Sequence, residues 1–266
     1  MKKLLTLLFT LCLCVSLFSA CNDGNKTGNS VNNGGNNDND GYIGNSSNNS
    51  NNQNGEASYP KATAGLDFTL STDYLSYAVS GIGSATATDI VIPKEYAGKP
   101  VTAINEIAFA NYAPLTSITS PDSIISIGPG AFYGCSSLTS ITLPDSVTTV
   151  KNSAFEGCTS LTSIVIPDSV TGIAHSAFAG CSSIKSVTIP NGITIVSFNT
   201  FGHCTSLTSV SIPNSVTHID SDTFFGCTSL TDIHYNGTQT EWDEIYKGNW
   251  NFSAYTIHCT DGDLNK

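Results

Sequence analysis

The sequence predicts an α/β-type solenoid of 23-residue coils, each with one short parallel strand and one short helical or 3-10 turn. The main observation is an Ala-Phe or Thr-Phe pair that recurs every 23 residues, without insertion, from Ala108 to Phe224. A second observation is that most copies contain a short segment in which apolar and polar residues alternate, followed by a proline. A fixed period of this size is typical of stacked coils that share one core. We expect a β-rich cap before the array and a small cap after it.

Residues 1–20 are typical of a secretory signal peptide. Lys2 and Lys3 precede an apolar run that is too short to span a bilayer comfortably. The stretch ends at Phe18-Ser19-Ala20-Cys21, which resembles a bacterial lipobox and predicts lipidation of Cys21. The alternative is plain cleavage near Ala20 with a free Cys21. Lipidation predicts a protein that is exported, anchored to the cell envelope by its acyl chains and exposed on the surface.

Residues 21–60 are predicted to be a disordered tether. The stretch is rich in Asn and Gly and has almost no aliphatic side chains, so it cannot bury enough apolar surface to fold. Asn36, Asp38 and Asp40 are spaced as in the first half of an EF-hand loop. Ser47 stands where that loop needs a bidentate Glu, so we expect no calcium site.

Residues 61–107 are predicted to form an N-terminal β cap and a degenerate first coil. Short strands are expected at Leu66–Leu70, Tyr74–Ser80 and Asp89–Pro93. Val101 and Ile104 follow with the spacing of later inward positions. A solenoid needs such a cap because an open end exposes both core and unpaired strand.

Residues 108–235 form the predicted repeat array. In one copy Leu138, Ile141 and Leu143 predict a short strand with one buried face, which Pro144 ends. The Ala-Phe pair predicts a short helical turn. The residue before each pair belongs to the helix N-cap set: Gly130, Ser153, Ser176, Asn199 and Asp222.

Two further columns of the array carry specific predictions. Residues that tolerate positive φ follow each pair, which predicts left-handed backbone at Asn111, Gly134, Gly157, Gly180, His203 and Gly226. The next column holds Cys135, Cys158, Cys181, Cys204 and Cys227. Neighbouring coils are close enough for a disulfide, but five cysteines cannot all pair and their side chains point the same way. We expect buried reduced thiols, and their 23-residue spacing argues against zinc.

Residues 236–266 are predicted to form the C-terminal cap. A short helix is expected over Thr240–Tyr246, with Trp242 and Ile245 facing the core at i and i+3. Tyr255–His258 is expected to add a closing strand. Trp242 continues an inward column of the array, which favours a cap residue over a ligand platform.

Composition excludes several classes of function. The chain has a net charge of −11 and contains no Arg, so nucleic-acid binding is not expected. We expect membrane contact through the lipid anchor only. No nucleophile elbow or HExxH motif occurs, and we expect no enzyme activity, no cofactor and no metal site.

The unit Ala-Phe-x-Gly-Cys-Ser/Thr-Ser-Leu-Thr-Ser-Ile resembles the BspA-like leucine-rich repeats of bacterial surface proteins. The resemblance covers residues 66–259. It implies a secreted or surface-anchored protein, because most members of the family are. Some members are adhesins for host matrix proteins or other cells. The family has no shared catalytic motif. Thr200, Thr223 and His203 depart from the pattern, as does the polar last strand.

The outward positions of the predicted strands form a flat and nearly uncharged surface, which we name the ladder face. Its candidate binding residues are Thr116, Thr119, Thr139, Thr142, Thr162, Lys185, Thr188, Thr208, Ser211, Thr231, Asp232 and His234. A plainer explanation is strand propensity, because Thr suits an exposed strand. An ice-binding face is a remote alternative.

Two binding functions remain open at this point. The first is adhesion to a host matrix protein or another cell surface through the ladder face. The alternative is a glycan-binding lipoprotein of a nutrient-capture system, with its site on the turns. The exposed aromatic candidates there are Tyr133, Phe225 and Tyr112.

Overall fold

The computed structural model describes residues 59–249 and 255–264. The predicted signal peptide, Cys21, the EF-hand-like stretch and nearly all of the predicted tether lie outside the described residues. The described chain is a solenoid of short parallel strands with a β-rich start and a small cap at its end. None of its described helices has the length and apolar character that crossing a membrane requires.

The N-terminal cap is a hairpin followed by three short strands. Its elements are β1 (Asp67–Leu70), β2 (Tyr77–Gly81), β3 (Asp89–Val91), β4 (Glu95–Tyr96) and β5 (Lys99–Ile104). Strand β1 pairs antiparallel with β2, and β2 pairs parallel with β5, which aligns the cap with the coils. The prediction that a strand begins at Tyr74 is wrong. Tyr74 has a φ of 62° and lies in the hairpin turn, where Asp73 accepts a hydrogen bond from the Leu75 amide.

Most coils contribute one strand to each of two parallel sheets, whereas the sequence predicted one strand per coil. The first sheet contains β6 (Ser117–Thr119), β8 (Ser140–Ile141), β11 (Ser186–Thr188), β13 (Ser209–Ile212) and β15 (Asp232–Tyr235). The second contains β7 (Ser126–Ile127), β9 (Thr149–Val150), β10 (Gly172–Ile173), β12 (Ile195–Val196) and β14 (His218–Ile219). Paired residues are 23 apart, as in Ile118 with Ile141 and Ile127 with Val150. The second strand follows the proline turn, where only inward-pointing valines were expected.

Columns of identical side chains fill the core. Six phenylalanine rings, one per coil, are buried and stack with centroid separations of 5.1 to 5.8 Å. Their positions are Phe109, Phe132, Phe155, Phe178, Phe201 and Phe224. The cysteine column lies beside them, and its five thiols are buried and form no disulfide. Each thiol donates to the carbonyl of a phenylalanine in the preceding coil, as Cys158 Sγ does to the Phe132 oxygen at 3.2 Å.

The structure does not support the predicted short helical or 3-10 turn, nor the α/β class. The amides of this segment alternate between two kinds of partner. Phe132 N–H donates to the Ala154 carbonyl of the next coil at 2.8 Å, whereas Tyr133 N–H donates to Gly130 of its own coil at 3.0 Å. A helix would direct every amide within the segment, so the ladder between coils excludes it. The predicted N-cap residues are left-handed instead, with φ of 54° to 58°.

The second left-handed column is confirmed. Its residues have φ between 58° and 74°, and the non-glycine members Asn111 and His203 adopt it at 58° and 60°. The two left-handed positions bracket the Ala-Phe pair and let the chain make tight turns while it bonds to its neighbour. The segment that contains them, including residues 107–111 and 130–134, lies along one side of the solenoid, which we name the turn face.

Both parallel sheets are interrupted between the same two coils. Among the described residues no strand pairing joins β10 to β12, and the strand-like residue Val165 bridges only backwards, to Thr142. The turn face is continuous there, because the Phe178 amide donates to the Thr200 carbonyl at 2.9 Å. We name this interruption, between residues 163–173 and 186–196, the seam.

The C-terminal cap closes the array with one helix and two strands. Helix α1 (Gln239–Glu244) begins with a capping box between Thr238 and Glu241. Trp242 and Ile245 are buried against the last coil, as predicted. Strand β16 (Thr256–Cys259) pairs parallel with β15, and β17 (Gly262–Leu264) pairs antiparallel with β16.

Candidate functional site

The ladder residues lie on the outward side of the first sheet, on either side of the buried column that includes Ile118 and Ile141. Most are exposed; Thr116, Ser211 and Asp232 are half-buried. The alternation follows from the pleat of a strand, which sends neighbouring side chains to opposite faces. The structure therefore places the predicted residues on one surface.

The first column of the ladder face is engaged in holding coils together. Each Thr hydroxyl donates to the backbone carbonyl one coil back, as Thr139 Oγ1 does to the Thr116 oxygen at 3.1 Å and Thr208 Oγ1 to the Lys185 oxygen at 3.0 Å. Thr116, Thr162 and Thr231 make the corresponding bond. Lys185 has no hydroxyl and interrupts this series at the seam. The strand explanation thus accounts for this column.

The outer column differs, because its hydroxyls are free. Thr119, Thr142, Thr188 and Ser211 make no side-chain hydrogen bond within the described part of the chain, so their hydroxyls are available to a partner. Between Thr142 and Thr188 lies Val165, which is 75% exposed. An exposed aliphatic side chain flanked by unpaired hydroxyls suits the apolar centre of an interface.

The C-terminal edge of the ladder face is polar and crosslinked. His258 of the cap contacts Asp232 through Nε2 and Asp263 through Nδ1, both at 3.0 Å. Its ring stacks on His234 with centroids 4.7 Å apart. The hydrogen bond to Asp232 raises the pKa of His258 above its usual 6.5, and the same bond lowers the pKa of Asp232. Sequence reasoning missed His258, because the chain returns to this edge only through the cap.

The turn face carries a groove whose floor is glycine. Gly134, Gly157 and Gly180 lie in successive coils below a hollow of about 350 Å³. Tyr133 forms one wall and is 43% exposed. It also borders a second hollow of about 540 Å³ that includes Ile107. The other side chains around the first hollow are Asn111, Glu156, Ala179, Asn199 and His203.

The other aromatic candidates lie differently from expectation. The Tyr112 ring is half-buried, and its hydroxyl donates to the Ala87 carbonyl at 3.2 Å, so it belongs to the N-terminal packing. Phe225 is exposed and meets His203 edge-on, with centroids 5.2 Å apart. Of the three, Tyr133 alone lines the glycine-floored groove.

The five described histidines do not come together in one place: His234 and His258 stack on each other, and the other three lie apart from them. His175 lies beside Phe198 and His218 beside Tyr246, each in its own column. Over the residues that the structure describes, no group of three His, Cys, Asp or Glu side chains is placed to hold a metal ion.

The stacked 23-residue coils and their extended faces define a leucine-rich repeat solenoid, a class whose members commonly bind proteins. Residues 102–231 match the model of the BspA type leucine-rich repeat region in six copies.

Two solved structures are similar to the chain. A leucine-rich repeat protein of T. pallidum is 28% identical with a TM-score of 0.65, covering 71% of this chain and 86% of its own. A leucine-rich repeat protein of Bacteroides ovatus is 24% identical with a TM-score of 0.57, covering 75% of this chain and 58% of its own. No curated protein sequence matches the chain.

Proposed function

We propose that the chain is an exported, lipid-anchored surface protein that binds a protein partner through the ladder face, without catalysis. The observation that carries the proposal is the outer column, in which exposed Val165 lies between the unpaired hydroxyls of Thr142 and Thr188. The match of residues 102–231 to a leucine-rich repeat family, whose members commonly bind proteins, supports it.

The chemistry of the ladder face suits a protein rather than a nucleic acid or an anionic membrane. Lys185 is the only cation among its candidate residues, and Asp232 and His258 form a paired edge. Interface cores are depleted of charged side chains, and hydroxyls provide adaptable hydrogen bonds around an apolar contact. The proposed partner is a host matrix protein or a protein on another cell.

A binding panel tests the partner class. The full chain is measured by biolayer interferometry against purified host matrix proteins, together with a Thr142→Lys/Thr188→Glu variant. Both side chains are exposed and unpaired, so the fold should persist. A control, Thr171→Lys/Thr194→Glu, places the same charges at exposed positions just before β10 and β12, away from the ladder face.

We expect the ladder variant to bind about tenfold more weakly or worse, and the control to bind as the unmodified chain does. An equal loss of affinity in both variants would show that the added charges weaken binding wherever they are placed, and that the ladder face is not the binding site. If the unmodified chain bound none of the proteins tested, the proposed class of partner would be wrong.

The anchor has its own test. In cells grown with labelled palmitate, the unmodified chain should acquire label and sediment with the membrane fraction. A Cys21→Ala variant should do neither. Membrane retention of the unlabelled variant would rule out the lipid as the anchor.

A further inference from the structure

The floor of the turn-face groove is made of backbone whose hydrogen bonds are complete. Gly134 N–H donates to the Glu156 carbonyl and Gly157 N–H to the Ala179 carbonyl, both at 2.8 Å. The Gly180 amide donates to Gly202 at 2.7 Å, and the carbonyls of all three glycines accept amides at 2.8 Å. The floor therefore offers C–H surface and no free polar backbone.

The rim offers the reverse, namely polar side chains without partners. The side chains of Asn111, Glu156 and His203 and the hydroxyl of Tyr133 make no hydrogen bond within the described residues, although all border the same hollow. They supply both donors and acceptors along the line of the coils. Neighbouring coils lie about 4.8 Å apart, so the groove from Tyr133 to His203 extends about 14 Å.

Charge and hydrogen bonding together restrict the occupant. The hollow has no Lys in its lining and its one carboxylate is Glu156, in a chain without Arg, so an acidic ligand finds no counter-charge. A peptide strand added to an edge needs free backbone donors and acceptors, and the floor has none. A ligand with flat C–H faces and many uncharged hydroxyls satisfies both the floor and the rim.

We propose that the turn face is a binding site for a neutral oligosaccharide. The C–H faces of its sugar rings lie on the glycine floor and against the Tyr133 ring, and its hydroxyls bond to Asn111, Glu156 and His203. The site is separate from the ladder face and does not depend on the protein-binding function proposed there.

The test uses two variants that act on the groove in different ways. Tyr133→Ala removes the wall. Gly157→Asn covers the floor: a Cβ there has only ordinary contacts, the nearest at 3.6 Å, and Asn111 already adopts the same left-handed backbone in this column. The side chain of Asn111 leans over Gly134, since a Cβ there would lie 2.6 Å from its Oδ1. An Asn at 157 should lie over Gly180 in the same way.

Titration calorimetry is performed on the full chain with neutral hexasaccharides of glucose, xylose, mannose and N-acetylglucosamine. Heparin and an oligolysine peptide are measured beside them. We expect at least one neutral sugar to bind, with affinity reduced about tenfold or more in each groove variant. Thr142→Lys/Thr188→Glu should bind that sugar unchanged.

The proposal is overturned if no neutral hexasaccharide binds at millimolar concentration, or if binding survives both groove variants. Binding of heparin or oligolysine alone would also overturn it, the latter in favour of a basic protein segment. Because the ladder variant is measured in the same series, failure of the sugar site leaves the protein-binding proposal independently testable.

Discussion

Replacing Phe178 by Ala should both destabilise the array and divide its unfolding at the seam. Phe178 is fully buried and stacks on Phe155 at 5.3 Å and on Phe201 at 5.5 Å. Phe→Ala in a core costs about 3–5 kcal/mol. Rings stacked on both sides lose two aromatic contacts, so the cost should fall in the upper part of that range.

The division follows from what crosses the seam. Neither parallel sheet is continuous across the seam, so the two parts are held by the amide ladder of the turn face, by the stacked core columns and by side-chain bonds such as that from Ser197 Oγ to the Ile173 carbonyl at 2.9 Å. Stability in a solenoid is close to a sum of repeat and nearest-neighbour interface contributions. Weakening the interface that already lacks strand pairing should uncouple the parts.

Guanidinium unfolding followed by two signals measures this. Trp242 is buried in the C-terminal cap, so its fluorescence reports the C-terminal side of the array, whereas far-UV circular dichroism reports the whole. In the Phe178→Ala variant we expect the two midpoints to separate, which is a departure from two-state behaviour.

Phe132→Ala is the matched control. That ring is equally buried and stacks on both neighbours at 5.4 and 5.1 Å, but its coils are joined by β7–β9 pairing. It should lose similar stability while the two midpoints stay together. Coincident midpoints in Phe178→Ala, or a wider separation in Phe132→Ala, would refute the reasoning.

Three further predictions concern single features. Lys185→Thr should add the missing hydroxyl bond to the Thr162 carbonyl and raise the free energy of unfolding by about 0.5–1 kcal/mol, and an unchanged denaturation midpoint would contradict it. Because its pKa is raised in the fold, His258 should stabilise fully below pH 6.5 and lose this contribution as pH rises through the raised pKa. The melting-temperature gap between the unmodified chain and His258→Gln should therefore shrink from pH 5.5 to 8.5, and a constant gap would exclude the mechanism. Burial raises the pKa of the thiols of Cys135, Cys158 and Cys181, to about 12 for Cys135, so iodoacetamide at pH 8 should modify these three only after unfolding; mass spectrometry of the native chain should find half-buried Cys259 modified before them.

The sequence predicts features that depend on one residue type in one column. Left-handed backbone at Asn111 and His203 follows from the few side chains that tolerate it. The cysteines were predicted to be buried without disulfides because five of them cannot all pair and their side chains point the same way. Trp242 and Ile245 face the core because the inward column simply continues into the cap.

Features that depend on bonds between coils could not be read in the same way. A single copy gives no sign that alternate amides around Phe132 bond to the next coil, so a short helix was expected there. The second strand is only two residues long, and it is defined by its pairing with the strands of the neighbouring coils. Whether Thr139 offers its hydroxyl to solvent or to the Thr116 carbonyl is likewise set by stacking.

The groove was only partly predictable. Tyr133 was recognised as an exposed aromatic side chain, but the glycines were explained by φ alone. Asn111 and His203 adopt the same left-handed backbone, so the φ angle alone does not require glycine at these positions. The three successive glycines leave a hollow where side chains could have stood. Its polar rim combines residues from coils that are distant in sequence.

The seam also has a mechanical consequence. On the turn face an unbroken series of amide bonds resists extension along the solenoid axis, whereas on the strand sides no backbone pairing between β10 and β12 does so. We therefore expect the solenoid to bend most easily in one direction. In that motion the two coils at the seam separate on the sides that carry the strands and stay joined along the turn face. We expect such bending to change the curvature of the ladder face near Val165 and Lys185, which is the surface proposed to bind a protein.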